Sequence, residues 1–119
     1  MDARRYAEHG AQQRRQIRDA REARLAELRQ RLWRFLEGHP CADCGERDPV
    51  VLEFHHTLHK DMDLNRLVAG AYSWPRLEEE LALGIILCAN CHRRREARAR
   101  GYWRERFRAA RLELTDKAD

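Results

Sequence analysis

Four cysteines and three histidines have the spacing in this chain that would support metal chemistry. Two Cys-x-x-Cys pairs stand 43 residues apart and comprise Cys41, Cys44, Cys88 and Cys91. Pairs of this kind are typical of a structural zinc site, in which four sulfurs complete a tetrahedral shell. The histidines lie beside them, as a His55-His56 dipeptide between the pairs and as His92 directly after the last cysteine. Because four thiolates would satisfy one zinc ion, the imidazoles are left for a second site.

The composition favours one small unit stabilised by metal. The chain has 119 residues, of which 37% are charged, so little apolar material is left for a large core. A structural zinc ion would compensate, since metal binding contributes roughly 10–16 kcal/mol to the folding of zinc-finger peptides. The sequence shows no run of about 18 apolar residues and no signal-like apolar segment. We therefore expect no membrane partner and a cytoplasmic location, where paired thiols stay reduced.

The charges form two basic arms around an acidic centre. The net charge is +4 in residues 1–40, −5 in residues 41–91 and +5 in residues 92–119. This distribution suits a polyanion that is held from both sides, with cations bound in the middle. The first arm offers arginines for phosphate contacts, namely Arg14, Arg15, Arg18 and Arg21. Alternatively, the mixture of arginine and glutamate belongs to ordinary solvated helix faces.

Helices and short strands must position the cysteines and histidines. The lack of proline in residues 3–37 predicts one long helix, or two helices that break near Gly10. The β-prone segment Val50–His55 predicts a strand, and neighbouring side chains on a strand point to opposite faces. A second, buried strand is predicted over Ile85–Leu87. A helix then runs over residues 88–100, opened by the second cysteine pair.

Two further helical segments complete the predicted elements. A helix capped by Ser73 is expected to run to Leu83 and to end at Gly84.

On the helix after the second cysteine pair, His92 and Glu96 are one turn apart and share a face. The tail carries an apolar stripe that should pack on the first helix or on a second subunit, giving a homodimer: Trp103, Phe107, Ala110 and Leu114.

The order and spacing of these motifs resemble the HNH endonuclease family in its zinc-anchored phage and bacterial form. The matching motifs are Cys-x-x-Cys-Gly from Cys41, Leu-Glu-Phe-His-His ending at His56, a lysine four residues later, and Leu-Cys-Ala-Asn-Cys-His-Arg-Arg from Leu87. The resemblance covers about residues 41–100. It implies an α+β protein with a ββα-metal (His-Me finger) core and a four-cysteine zinc site, flanked by N-terminal and C-terminal helices. The flanking segments are a basic helical arm (1–40) and a helical tail (101–119).

The resemblance also implies a role for individual residues. His56 matches the general base of a phosphodiester hydrolase, while His55 and His92, with Glu96, would bind a catalytic divalent ion such as Mg²⁺, Mn²⁺ or Ni²⁺. An imidazole near its usual titration range can take a proton from water at neutral pH. The implied partner is double-stranded DNA, with phosphate contacts from Lys60, Arg93, Arg94 and Arg95.

Two positions depart from the family pattern. The family's middle asparagine lies four or five residues before the third cysteine, where this chain has Gly84 and Leu83. Glu96 stands where many members have a second helical histidine. It would either bind a hard ion such as Mg²⁺ or pair on the surface with Arg93 or Arg100.

Two alternatives to a nuclease remain open. The same core and basic arms would also suit a non-catalytic, zinc-stabilised DNA-binding module with a decayed HNH site. The chain could instead be a zinc-stabilised helical adaptor that binds another protein through Trp103 and Phe107. The adaptor interpretation leaves His55, His56 and His92 without a role.

Overall fold

A computed structural model of the protein describes residues 2–58 and 62–117. Helices dominate the described residues, and two strands form the only sheet among them. The elements in chain order are α1 (Ala3–Glu37), a 3-10 turn (Pro49–Val51), β1 (Leu52–His56), α2 (Leu64–Ala69), α3 (Trp74–Leu81), β2 (Gly84–Cys88), α4 (Ala89–Arg100) and α5 (Trp103–Lys117). The predicted α+β class is confirmed. Nowhere in these two ranges is a helix both long and apolar enough to cross a bilayer.

Helix α1 is continuous, so the alternative of two helices broken near Gly10 is wrong. Asp2 caps its first turn by accepting the N–H of Arg4, and Gly38 follows its last residue. The C-terminal part of α1 packs on the rest of the protein through its predicted apolar stripe, in which Leu28 is buried. Upstream of that stripe almost every side chain is exposed. The protein therefore measures 89 × 29 × 25 Å.

The two strands pair antiparallel, with Leu52 opposite Cys88 and His56 opposite Gly84. Both differ at their ends from the prediction. Strand β1 begins two residues later than Val50, because Asp48 accepts the N–H of Val50 and starts a 3-10 turn. It also continues through His56, and β2 is one residue longer at each end than expected.

Gly84 permits the close approach of the two strands. A Cβ atom at this position would lie 2.1 Å from the carbonyl oxygen of His55, so any side chain would force the strands apart. Gly84 does not terminate α3, as the sequence suggested, because that helix ends at Leu81. The predicted cap is confirmed, since the Ser73 hydroxyl accepts the N–H of Arg76.

The hydrophobic core consists of two small clusters. One lies between α1, the sheet and α4, and it is packed against Phe35 and Leu36. Its buried members are Cys41, Cys88 and Cys91 with Leu52, Ile86 and Leu87. The other joins α1, α2 and α3 through Leu28, Leu67 and Leu77, with Met62 and Trp74 beside them. Neither cluster is large, which agrees with the expectation that burial alone contributes little to holding this chain.

The apolar stripe of α5 forms no core with the other residues that the structure describes. Trp103, Phe107 and Leu114 are 60%, 66% and 65% exposed, and the first two rings contact each other edge to face at 5.7 Å. Helix α5 packs mainly on α4. The expectation that this stripe packs on the first helix is therefore wrong.

Candidate active site

The four cysteine sulfurs meet between the start of the sheet and the N-terminus of α4. All four lie within 4.8 Å of one another, and Cys44 Sγ is 3.7 Å from Cys88 Sγ. A tetrahedral zinc ion with Zn–S bonds of about 2.3 Å places its sulfurs about 3.8 Å apart, whereas a disulfide bond is about 2.05 Å long. The thiols are free, and their arrangement fits a metal ion such as zinc.

Local backbone structure explains this arrangement. The turn after the first pair closes through a hydrogen bond from Gly45 N–H to the Cys41 carbonyl, and Gly45 adopts the positive φ that was expected of it. Ala42 N–H donates to the Ile86 carbonyl and joins this turn to β2. Cys88 is the last residue of β2 and also the N-cap of α4, so the second pair begins where strand becomes helix.

The sulfurs have different proton affinities. Burial disfavours the thiolate of Cys41, but backbone N–H groups of Cys88, Cys44 and Asp43 outweigh it and lower its pKa to about 6. A hydrogen bond with Cys88, together with burial, raises the pKa of Cys91 to about 12. Cys41 is thus the sulfur most ready to bind a cation at neutral pH, and a bound divalent ion would favour the thiolate form of the others.

A second group of potential ligands lies on the face of β1 that contacts α4. The ring centroids of His55 and His92 are 5.1 Å apart. His92 Nδ1 is 2.7 Å from Glu53 Oε2, and His92 Nε2 is 3.4 Å from Glu96 Oε1. The structure therefore brings together His55, His92 and Glu96, as the resemblance implied, and adds Glu53 to them.

This second group is less compact than the first: among the described residues, only the four cysteines bring three or more ligand atoms close enough together to hold a metal ion. The Glu53 carboxylate accepts the Nδ1–H of His92, and Nε2 faces the carboxylate of Glu96. Metal-binding histidines are commonly oriented by a carboxylate in this way. Adjacent ligands at about 2.1 Å from an octahedral ion lie about 3 Å apart, close to the separation of His92 Nε2 and Glu96 Oε1. Burial, followed by the neighbouring charges of His92 and Arg95, lowers the pKa of His55.

Glu96 forms no ion pair with an arginine in the part of the chain that the structure describes. The alternative in which it pairs with Arg93 or Arg100 is therefore not formed, and its carboxylate stays beside His92.

His56 points to the opposite face of β1, as strand alternation predicts. Its Nε2 is 2.9 Å from Oε1 of Glu80, a fully buried carboxylate on α3. His56 is 17% exposed, and it borders the same cleft as His55 and His92, which has a volume of about 570 Å³. The three imidazoles thus reach one cleft from two faces of a strand.

The basic residues differ in the contacts that their side chains make within the protein. Arg93 and Arg94 are exposed on α4, and Arg94 also donates to Cys91 Sγ at 3.9 Å. Arg95 forms two hydrogen bonds with Asp43, at 2.6 and 2.7 Å, that join α4 to the first cysteine pair. Lys60 lies outside the described residues. On the outer part of α1 the expected phosphate contacts are exposed: Arg14, Arg15 and Arg18.

Two carboxylates beside the histidines of the cleft, those of Glu53 and Glu80, were not predicted from the sequence to take part in the site. Glu53 carried a usable signal, because it lies two residues before His55 and therefore on the same face of the strand. Glu80 was obscured by its place in a run of three glutamates, although its spacing from Leu77 and Leu81 puts it at the edge of the apolar face of α3.

The site therefore combines a four-thiol metal site, a group of imidazoles and carboxylates, and a histidine held by a buried carboxylate at the same cleft. Comparisons of this chain with protein-family models, curated proteins and solved structures give no significant match. The case for a function rests on the residues themselves and on their geometry.

Proposed function

We propose that the protein is a metal-dependent DNA endonuclease of the HNH type. In this proposal β1, β2 and α4 form a ββα-metal core, and a zinc ion bound by the four cysteines holds it together. The observation that carries the proposal is the cleft itself, where His56 lies beside the group formed by His55, His92 and Glu96. A histidine base next to a divalent-ion site is a combination that can catalyse phosphodiester hydrolysis.

The zinc ion would have a structural role. Its ligands come from the turn before β1 and from the junction of β2 with α4, the elements that carry His55 and His92. Binding all four sulfurs fixes α4 against the sheet, and so fixes the distance between the two imidazoles. The ion supplies stability that the small core does not.

His55, His92 and Glu96 would hold the second ion. When bound, such an ion stabilises negative charge on the phosphate and on the leaving oxygen. His56 removes a proton from a water molecule whose oxygen attacks phosphorus, and the bond from phosphorus to the 3′ oxygen breaks. The products are a 5′-phosphate and a 3′-hydroxyl, which takes up a proton.

The charge distribution supports a nucleic-acid substrate. Exposed Arg93 and Arg94 follow His92 on α4, and the outer part of α1 adds a further row of exposed arginines. Arginine side chains bind phosphate oxygens in pairs of hydrogen bonds, and several together supply salt-sensitive affinity for duplex DNA.

A plasmid-nicking assay tests the proposal. The zinc-loaded protein, incubated with supercoiled plasmid and Mg²⁺, Mn²⁺ or Ni²⁺, is expected to yield nicked or linear DNA. His56→Ala should lower the rate by about 10²- to 10⁴-fold, the usual contribution of a general base, while zinc content and DNA affinity stay unchanged. His9→Ala, on the exposed outer part of α1, is the matched control.

Two outcomes would contradict this function. Undiminished cleavage by His56→Ala would remove the proposed base. Salt-sensitive binding of DNA without cleavage in any of the three metals would identify a DNA-binding module instead.

A further inference from the structure

Glu80 is the only buried charged residue among those the structure describes. It lies on α3, between the two strands in sequence, and its carboxylate is fully buried. Its Oε1 is 2.9 Å from His56 Nε2 and 3.1 Å from the backbone nitrogen of Met62, and its Oε2 is 3.2 Å from a guanidinium nitrogen of Arg76. A buried carboxylate is costly unless it is hydrogen-bonded, and Glu80 meets that condition with both oxygens.

The donors around Glu80 determine which nitrogen of His56 carries a proton. A carboxylate can only accept hydrogen bonds, and both Met62 N–H and the Arg76 guanidinium can only donate them. The ring nitrogen that faces Glu80 must therefore be the protonated one, which is Nε2. In the neutral ring the other nitrogen, Nδ1, holds the lone pair, and it makes no hydrogen bond within residues 2–58 and 62–117.

We propose that Glu80 is a positioning residue that holds His56 as its Nε2-protonated tautomer and leaves Nδ1 as the basic nitrogen at the cleft. This inference rests on the proposed function, in which His56 accepts the proton of the attacking water. Glu80 touches neither DNA nor water in this role and acts through His56. A histidine bound by its wrong nitrogen, or free to rotate, would present a protonated nitrogen to the water for part of the time.

The same carboxylate also fixes the ring in space. His56 is the last residue of β1, and beyond it the chain leaves the sheet. Glu80 is hydrogen-bonded to the ring of His56 and to the backbone N–H of Met62, which lies just before α2. Through these two contacts α3 holds His56 and Met62, which flank the connection from β1 to α2. The edge contact between the rings of Phe54 and His56, at 4.5 Å, supports the ring from the strand.

Nitrogen-15 NMR of the imidazole rings tests the tautomer without depending on activity. In the zinc-loaded protein at neutral pH, His56 is expected to show a protonated Nε2 whose hydrogen exchanges slowly, and an unprotonated Nδ1. Glu80→Ala should give a rapidly exchanging Nε2 hydrogen and a mixture of tautomers. A protonated Nδ1 in the wild type, or an unchanged spectrum in Glu80→Ala, would overturn the proposal.

The cleavage assay then tests the consequence for catalysis. We expect Glu80→Ala to lower kcat about 10- to 100-fold, less than the loss of the base itself, with little change in KM. Glu80→Gln keeps an oxygen that can accept from Nε2–H, and exposed Glu79 offers Arg76 another partner, so this variant should recover much of the lost rate. Glu79→Gln is the matched control and should cleave at the wild-type rate.

The variants also separate this role from a purely structural one. If Glu80→Ala fails to fold, Glu80→Gln carries the test, and its tautomer must remain that of the wild type. The positioning role would be refuted if Glu80→Gln lost the Nε2-protonated tautomer of His56 and if its cleavage rate fell only as far as its loss of stability explains. If the wild type cuts no DNA, the proposed function fails, but the NMR spectrum still decides whether Glu80 fixes the His56 ring.

Discussion

His92 Nδ1 lies 2.7 Å from a carboxylate oxygen of Glu53, a residue 39 positions earlier in the chain. The contact joins α4 to β1 and turns the other nitrogen of the ring toward Glu96. Histidine ligands held by a carboxylate in this way bind metal more tightly, because the ring is fixed and more basic.

Glu53→Gln should weaken binding of the second ion. We expect the affinity of the zinc-loaded protein for Mn²⁺ to fall about 10- to 100-fold, as is usual when such a partner is lost. Isothermal titration with Mn²⁺ measures the change, and Glu78→Gln on the exposed side of α3 is the control. Equal affinities in the two variants would argue that Glu53 has no part in the site.

Removal of one cysteine sulfur should unfold the protein. Structural zinc contributes roughly 10–16 kcal/mol in zinc-finger peptides, as much as the whole stability of a typical domain. Cys88→Ser is therefore expected to lose bound zinc and its cooperative thermal transition, measured by elemental analysis and circular dichroism. Ala42→Ser adds a hydroxyl to the first cysteine pair without removing a ligand and should retain both. A zinc-free Cys88→Ser protein that melts like the wild type would contradict the structural role.

Gly84→Ala should disturb both the fold and the site. The added methyl group would meet the His55 carbonyl at 2.1 Å, so the strands must separate. Overpacking of this kind typically costs about 1–3 kcal/mol, and we expect that loss in urea denaturation, together with slower plasmid cleavage. Gly38→Ala, where the nearest atom is 3.6 Å away and φ is −89°, is the control and should be nearly neutral.

Two neighbouring arginines on α4 should respond in different ways. Arg93→Ala is expected to weaken DNA binding at low salt and to lower the slope of log affinity against log salt by about 1. Arg95→Ala should instead lower the melting temperature, because its partner Asp43 loses two hydrogen bonds. Fluorescence anisotropy at several salt concentrations and thermal melting separate the two effects. A large salt-slope change in Arg95→Ala with no loss of stability would reverse this assignment.

The pair of Asp43 and Arg95 also has a defined dependence on pH. The hydrogen bond from Arg95 holds the pKa of Asp43 below its usual value of 3.8. A lowered carboxyl pKa in the folded state contributes stability at neutral pH, and this contribution is lost as pH falls through the folded-state pKa. The melting-temperature difference between wild type and Asp43→Asn should therefore be largest near neutral pH and shrink in acid.

The arginines of the outer part of α1 should add affinity without affecting the chemistry. Replacing Arg14, Arg15 and Arg18 together by alanine is expected to lower the salt slope of DNA binding by about 2.7 if each contacts one phosphate. The cleavage rate at saturating DNA should stay unchanged, because these residues are remote from the cleft. An unchanged salt slope would show that this face of α1 is merely solvated.

Much of the fold was predictable from local patterns. The positive φ of Gly45, the Ser73 cap and the apolar stripe of α1 all depend on residues close together in the chain. Strand alternation also placed His55 and His56 on opposite faces. Each of these features follows from backbone geometry that a few neighbouring residues determine.

The contacts that complete the site were not predictable in the same way. Glu80 reaches His56 across 24 residues, and Asp43 reaches Arg95 across 52. A glutamate in a charged helix has the same local sequence pattern whether it is buried or solvated. Only the packing of α3 on the sheet determines that Glu80 is buried. The exposed stripe of α5 shows the converse, since helical periodicity identifies an apolar face but not the surface that covers it.

In the proposed complex with DNA, the length of α1 has a consequence for how much of the duplex is covered. Its 35 residues, at 1.5 Å each, extend for about 52 Å, a distance that corresponds to about 15 base pairs of B-form DNA. Only the C-terminal part of this rod is packed on the compact body. A duplex lying along α1 would be protected from chemical probes over more than one turn of the DNA. The protected region would extend further on one side of the proposed cleavage point than on the other.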